Sequence, residues 1–155
     1  MRRLAFFAAA GSALLLGGAY LFQLLGYAPC KMCLWQRWPH AVAILIGLAF
    51  ALTRKPALLW IGATAAATTA SIGAFHAGVE QGWWEGPSSC TGSGLEGLSG
   101  SELISTDGIS SIVMCDEIAW QLFGLSMAGW NAALSLILAV IWVVAARSNV
   151  GATRG

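Results

Sequence analysis

The sequence predicts an all-α integral membrane protein, a four-transmembrane-helix bundle that forms a single domain over residues 1–155. Hydrophobic residues make up 57% of the chain and charged residues only 10%, against roughly 25% charged residues in an ordinary soluble domain. The mean hydropathy is correspondingly high, at +0.72. A span needs about 20 apolar residues to cross about 30 Å of hydrocarbon, and four candidate spans are found: residues 4–25, 38–53, 57–79 and 126–146.

The first span follows Arg2 and Arg3, a pattern that it shares with cleavable signal peptides. Its apolar stretch continues to Leu25, beyond the roughly 7–15-residue core of a signal peptide. Cleavage would also leave an odd number of spans. We therefore expect the first span to be a retained transmembrane helix.

The second span is short unless Cys33 to Arg37 extend its outer end. Pro39 lacks an amide hydrogen, so it is expected in a first helical turn rather than in a helix interior. The sequence therefore places the start of this helix near residue 38 and defines that boundary less well than the others.

The third span is rich in small residues between Ala63 and Gly73, which suits close helix packing in lipid. The loop from Glu80 to Glu117 separates it from the fourth span. This loop is rich in glycine and serine and carries all seven acidic residues, so we expect a mobile, solvated segment. Its one apolar stretch, residues 108–114, could rest on the membrane surface.

The distribution of positive charge predicts the orientation, because lysine and arginine are in excess on the cytoplasmic side of membrane proteins. Only Lys31 and Arg37 lie at the opposite end of the spans from the other basic residues. Those others flank the spans on one side: Arg2, Arg3, Arg54, Lys55, Arg147 and Arg154. Both termini are therefore expected to be cytoplasmic, with two loops, at about residues 26–37 and 80–125, on the outer side.

All four cysteines fall on that outer side, where disulfides persist. Four cysteines allow three pairings; close spacing makes Cys30 and Cys33 the natural local pair and leaves Cys90 with Cys115. The second pair could equally be a restraint on the loop, whereas a C-x-x-C ring restrains little and is typical of redox work. Zinc would need a second close-spaced pair, so no metal site is expected.

The order of these features resembles a known family. Pro29, Cys30 and Cys33 are followed by Gln36 and Arg37 directly after the first span, and a second cysteine pair lies in an acidic loop before the fourth. This pattern closely resembles the disulfide bond formation protein B family, DsbB, over essentially the whole chain. Met32 stands where the family often has leucine, and His40 follows Pro39; neither departure removes a motif residue.

The resemblance implies an enzyme of the bacterial inner membrane whose active cysteines face the periplasm. It would be a quinone-dependent thiol oxidase that reoxidises the periplasmic thioredoxin-fold oxidant DsbA, with ubiquinone or menaquinone as the electron acceptor. Because DsbA is a strong oxidant, near about −120 mV, an ordinary structural disulfide would be a poor reoxidant for it. A lipid-soluble acceptor is therefore needed. The expected partners are a DsbA-like protein, the quinone and the lipid bilayer, with no nucleic acid.

The resemblance also assigns roles to the four cysteines. Cys90 forms the mixed disulfide with DsbA while Cys115 leaves. Cys115 then attacks Cys30, which frees Cys33 as the thiolate beside the quinone.

Polar residues near the cysteines are candidates for the quinone site. Arg37 lies four residues after Cys33, on the same face of a helix that reaches that far outward; it could hold a quinone oxygen and favour the thiolate, or it could snorkel to the headgroups. His76 could donate a proton to the reduced quinone, or it could be an interfacial polar residue. The other polar residues are expected to be structural or to make interhelical hydrogen bonds: His40, Asn131 and Gln23.

Two other functions stay open. A vitamin K epoxide reductase-like protein also has a C-x-x-C motif beside a quinone, but that motif usually comes late in the chain, whereas here it follows the first span. A non-enzymatic membrane scaffold or metal-binding protein would use the cysteines as staples or ligands.

Overall fold

The computed structural model describes residues 2–90 and 114–152. The described chain is almost entirely helical, with one short β-hairpin before the last helix. The elements are α1 (Arg2–Leu24), α2 (Lys31–Thr53), α3 (Ala57–Glu80), β1 (Gln121–Leu122), β2 (Leu125–Ser126) and α4 (Met127–Ala152). The expectations of a mobile loop and of an apolar stretch on the membrane surface concern residues 91–113 for the most part, which lie outside the described residues.

Three of the described helices are long and apolar enough to cross a membrane: Arg2–Leu24, Ala57–Glu80 and Met127–Ser148. Helix α2 has 23 residues, which at about 1.5 Å per residue spans about 34 Å. Its outer turns carry Lys31, Gln36 and Arg37, which lower its hydropathy. The crossing by α2 therefore stays a prediction.

Helix α2 begins at Lys31, well before the predicted start near residue 38. Cys30 is its N-cap, with an extended backbone and a sulfur that accepts a hydrogen bond from the Cys33 amide at 3.2 Å. That bond satisfies one of the amides that a helix start leaves unpaired. Pro39 consequently lies inside the helix, and the expectation that it occupies a first turn was wrong.

Helix α3 is central, because it packs extensively against both α4 and α2, while α1 covers α2 and α4. At the end of the bundle opposite the cysteines, which we call the inner half, the core combines many alanine residues with Phe50, Leu59 and Leu138 around the fully buried ring of Trp142. A Cβ atom added to Gly62 would lie 2.7 Å from that ring. Small residues here let the helix backbones approach closely.

The end of the bundle that carries the cysteines, which we call the outer half, is closed by the β-hairpin. Phe123 and Gly124 both have positive φ, 52° and 78°, as a two-residue hairpin turn with a right-handed twist requires. The Trp130 indole nitrogen donates to the Leu122 carbonyl at 3.1 Å, which ties the hairpin to α4. The chain from Cys115 is thereby held over the ends of α2 and α3.

Candidate active site

The structure places all four cysteines together in the outer half. Cys90 and Cys115 form the predicted disulfide, with Cα atoms 5.3 Å apart. Cys30 and Cys33 are free thiols, with Sγ atoms 2.8 Å apart. The expected local pair is therefore adjacent but not bonded, so this structure combines an oxidised outer pair with a reduced inner pair.

The two cysteine pairs meet at Cys30 and Cys115. The Sγ atoms of these residues and a ring nitrogen of His76 all lie within 4.8 Å of one another. Cys115 is completely buried and Cys90 is 6% exposed, and Met32 and Val79 pack around them. The proximity of Cys115 Sγ to Cys30 Sγ brings a sulfur of the outer pair close to the inner sulfur that it would attack in a thiol–disulfide exchange.

Within the inner pair, Cys30 is the protonated partner. Its hydrogen bond with Cys33, and then its burial, raise the pKa of the Cys30 thiol well above its usual range. Cys30 therefore donates its hydrogen to Cys33 Sγ. Cys33 lies in the first turn of α2, where the partial positive charge of a helix N-terminus favours a thiolate.

His76 is 2% exposed and is oriented by Gln36. The Gln36 Oε1 atom accepts from Asn131 Nδ2 at 2.6 Å, so Gln36 Nε2 is the donor to His76 Nδ1 at 3.0 Å. The neutral ring of His76 then carries its hydrogen on Nε2, which lies 3.5 Å from Cys30 Sγ. The sequence analysis singled out His76 but gave Gln36 no role beyond the motif. The position of this amide directly before Arg37, in the same motif, is a signal that could have indicated one.

Asn131 extends this network deeper into the bundle. It donates to Thr69 Oγ1 at 3.3 Å and its Oδ1 atom is 2.9 Å from His40 Nε2. Thr69 in turn donates to the Gln36 carbonyl at 3.1 Å. The network joins α2, α3 and α4, so the prediction that Asn131 makes interhelical hydrogen bonds is confirmed.

Arg37 is held in place at the site by residues of α1. Its Nη1 atom donates to Gln23 Oε1 at 2.9 Å, and its guanidinium lies 4.6 Å from the centre of the Tyr20 ring. The predicted interhelical role of Gln23 is thus confirmed. Among the described residues, the buried Nε atom of Arg37 has no partner, which leaves one N–H free for a ligand.

Glu80 corrects the sequence analysis, which placed all the acidic residues in a solvated loop. It is the last residue of α3, and its side chain is only 5% exposed. Its Oε1 atom lies 3.9 Å from His76 Nε2. Sequence alone could not locate this carboxylate, because its burial depends on the hairpin that covers it.

A cavity of about 340 Å³ connects these groups. Most of its wall is apolar, from α1, α4 and the hairpin. The polar and ionisable residues that line it are Cys30, Cys33, Gln36, Arg37, His40, His76, Glu80, Glu117 and Asn131. This volume lies in the range of about 300–1,000 Å³ typical of small-molecule sites. The cavity suits a flat apolar ring with polar substituents, and it reaches both cysteines of the inner pair.

The chain matches the family model described as Disulfide bond formation protein DsbB over residues 1–145. It is 37% identical to Disulfide bond formation protein B of Verminephrobacter eiseniae over 138 residues, covering 84% of this chain and 76% of the relative. It is 34% identical to the protein of that name from an Acidovorax species over 152 residues, covering 92% and 85%. No solved structure shows a significant match. The chain therefore belongs to the DsbB family, the membrane oxidoreductases of disulfide bond formation.

Proposed function

We propose that this protein reoxidises a periplasmic DsbA-like thioredoxin-fold protein and passes the electrons to a membrane quinone. The observation that carries the proposal is the contact between the two cysteine pairs, in which Cys115 Sγ lies within 4.8 Å of Cys30 Sγ. Two inert staples would have no need of this contact. A relay of disulfide exchanges requires it, because the attacking thiolate must reach the disulfide sulfur.

The first exchange takes place at the outer pair. A thiolate of DsbA attacks Cys90, which is the less buried of the two sulfurs, and Cys115 leaves as a thiolate. Cys115 then attacks Cys30 of an oxidised inner pair, and Cys33 leaves. The second DsbA thiol then attacks the mixed disulfide and releases Cys90 as a thiolate. Cys90 attacks Cys115, which re-forms the outer disulfide and releases Cys30. The net result is oxidation of the DsbA dithiol and reduction of the Cys30–Cys33 disulfide.

His76 assists the release of Cys30. Its Nε2 atom lies 3.5 Å from Cys30 Sγ, within reach to stabilise the negative charge that develops on that sulfur. Hydrogen bonds to a charged group contribute about 1.5–3 kcal/mol. Gln36 keeps this hydrogen on Nε2 by donating to Nδ1. The exchange leaves the outer pair oxidised and the inner pair reduced.

The cavity beside Cys33 is the proposed quinone site. Its apolar walls and the free Nε–H of Arg37 fit an apolar ring that carries oxygen acceptors. A quinone bound there supplies an acceptor for the two electrons and two protons that leave the inner thiols when their disulfide re-forms. Arg37 holds one ring oxygen and favours the Cys33 thiolate. Arg37 would bind a ring oxygen, which ubiquinone and menaquinone both have. We propose ubiquinone, with menaquinone as the alternative.

We also propose four crossings of the bacterial inner membrane, with both termini and the Arg54–Lys55 turn in the cytoplasm. The charge asymmetry supports this orientation. Under reducing conditions, a membrane-impermeant thiol reagent added to intact spheroplasts should label Cys90. Protection of Cys90 that ends only on lysis would overturn the orientation.

A metal site is the alternative that a specific observation favours. Cys30, His76 and Cys115 present three ligand atoms within 4.8 Å. Cys115 is committed to a disulfide, however, and a structural zinc site is almost always four-coordinate. If the fully reduced protein bound one zinc ion tightly and reduced DsbA were not oxidised, metal binding would replace the relay.

Two measurements test the relay. Purified protein given reduced DsbA and a short-tailed ubiquinone should consume one quinone for each DsbA oxidised, followed by the loss of quinone absorbance. When the variants are mixed with oxidised DsbA, the free Cys90 thiolate of Cys115→Ser should attack the DsbA disulfide and form a mixed disulfide visible on non-reducing gels, whereas the matched variant Cys90→Ser should not. Equal adducts with both variants, or no quinone consumption by the unaltered protein, would contradict the proposal.

A further inference from the structure

His40 belongs to the cavity but has no part in the relay described above. It lies three residues after Arg37 on α2, is 3% exposed, and contributes to the cavity wall. A buried histidine with a purely structural role would have both ring nitrogens paired. Here Nε2 is paired with Asn131, and the buried Nδ1 atom has no partner among residues 2–90 and 114–152.

The surrounding network determines which ring nitrogen of His40 carries the hydrogen. Asn131 Nδ2 is a donor to Gln36 Oε1 and to Thr69 Oγ1, so its Oδ1 atom can only accept. Ser135 donates to the same oxygen at 3.3 Å. His40 Nε2 therefore donates to it, and the neutral ring leaves Nδ1 as a bare acceptor.

A bare acceptor in a largely apolar cavity calls for a donor from the ligand. A buried acceptor without a partner costs about 1–3 kcal/mol. Arg37 offers the opposite chemistry at the same cavity, an N–H that can only donate. The oxidised ring of a quinone has only acceptor oxygens, whereas the reduced ring carries hydroxyl groups that donate. His40 Nδ1 can therefore pair only with the reduced ring, whereas the Arg37 N–H can donate to an oxygen of either form.

On the basis of the proposed function, we propose that His40 Nδ1 accepts a hydrogen bond from a ring hydroxyl of the reduced quinone, and that Asn131 sets the tautomer that makes this possible. His40 is then a residue that favours the quinol over the quinone. By stabilising the reduced form, it draws electrons out of the Cys30–Cys33 pair. Asn131 acts as a positioning residue, because it reaches the ligand through His40.

The tautomer can be tested without any ligand. The chain has only two histidines, so ¹⁵N-labelled histidine in the detergent-solubilised protein gives two ring spin systems, and His76→Gln identifies which is His40. We expect His40 to be neutral with its hydrogen on Nε2, and Asn131→Leu to change that pattern. A hydrogen on Nδ1 of His40 in the unaltered protein would overturn the proposal.

Ligand discrimination is tested with a short-tailed ubiquinone and its quinol under anaerobic conditions. Dissociation constants are measured in a Cys30→Ser, Cys33→Ser background, which prevents electron transfer. With one hydrogen bond at stake, His40→Leu and Asn131→Leu should each weaken quinol binding by about fivefold and change quinone binding by less than about twofold. Ser135→Ala is the matched control, since it removes a donor to the same Asn131 oxygen without altering the cavity wall, and it should preserve the ratio of the two constants.

The ratio of the two constants, measured on one preparation, is insensitive to a loss of folded protein. An unchanged ratio in His40→Leu, or an equal weakening of both ligands, would show that His40 is structural and would overturn this inference alone. If the background protein bound neither ligand, the quinone site of the proposed function would fail as well.

Discussion

The outer and inner halves of the bundle are built from opposite kinds of contact. In the outer half, Gln36, His76 and Asn131 link three helices through buried hydrogen bonds. In the inner half, alanine and glycine residues pack around Trp142. Polar side chains within a membrane are expensive unless they are paired, so their concentration at one end marks the place of the chemistry, while small residues hold the helices together elsewhere.

The largest effect should come from removing the thiolate beside the cavity. We expect Cys33→Ser to reduce steady-state quinone reduction below detection, because no inner disulfide can form. The unfolding equilibrium of the protein in mixed micelles should stay close to that of the parent, since Cys33 is only half-buried. Quinone reduction retained by Cys33→Ser would contradict the proposed transfer of electrons from the inner cysteine pair to the quinone.

The next effect distinguishes the two inner thiols. The hydrogen bond with Cys33 and burial raise the pKa of Cys30, so Cys30 stays protonated at neutral and mildly alkaline pH. In a Cys90→Ser, Cys115→Ser background at pH 7, iodoacetamide should modify Cys33 at least about a hundredfold faster than Cys30, because only the thiolate reacts. Peptide mass spectrometry gives both rates, and equal rates would contradict the assignment.

The inner half should respond in stability rather than in chemistry. Gly62→Ala puts a Cβ atom 2.7 Å from the buried Trp142 ring, and overpacking of this kind costs about 2 kcal/mol, or about thirtyfold in the folding equilibrium. Unfolding in mixed micelles measures the change. Gly17→Ala is the matched control, because a Cβ atom there meets nothing within 4 Å.

The folded fraction of Gly62→Ala should still exchange with DsbA at the parental rate. If that single-turnover rate fell together with the free energy of unfolding, packing in the inner half and chemistry in the outer half would not be independent. If Gly62→Ala unfolded at the same equilibrium as Gly17→Ala, the side chains around Trp142 would be able to shift and accommodate the added methyl group at little cost.

The smallest of these effects concerns Arg37. Replacement by methionine keeps length and apolarity but removes the charge and the free N–H, so the KM for ubiquinone should rise about tenfold, as expected for a hydrogen bond to a charged group. Single-turnover oxidation of DsbA by the outer disulfide should be unaffected. Lys31→Met is the matched control, since Lys31 is an exposed cation at the same end of the bundle. Parental quinone kinetics in Arg37→Met would make Arg37 a snorkelling anchor.

Much of the site could be predicted residue by residue, but its internal connections could not. Cysteine spacing indicated the Cys90–Cys115 disulfide, and helical spacing put Arg37 on the face of Cys33. The links that His76 makes through Gln36, and the burial of Glu80, depend on the packing of α3 against α2 and on the hairpin above them. No local pattern carries that information.

Hydropathy, charge and cysteine spacing in the sequence were enough to predict four helices, an outer side and two pairs of cysteines, because these features can be read along the chain. The start of α2 escaped that analysis, since the Cys30 cap and tertiary packing outweigh the cost of Pro39 inside the helix. Only the tertiary structure brought Cys115 to Cys30 and left the Nδ1 atom of His40 unpaired. Both depend on how the helices are rotated and packed against one another, which contacts between distant parts of the chain decide.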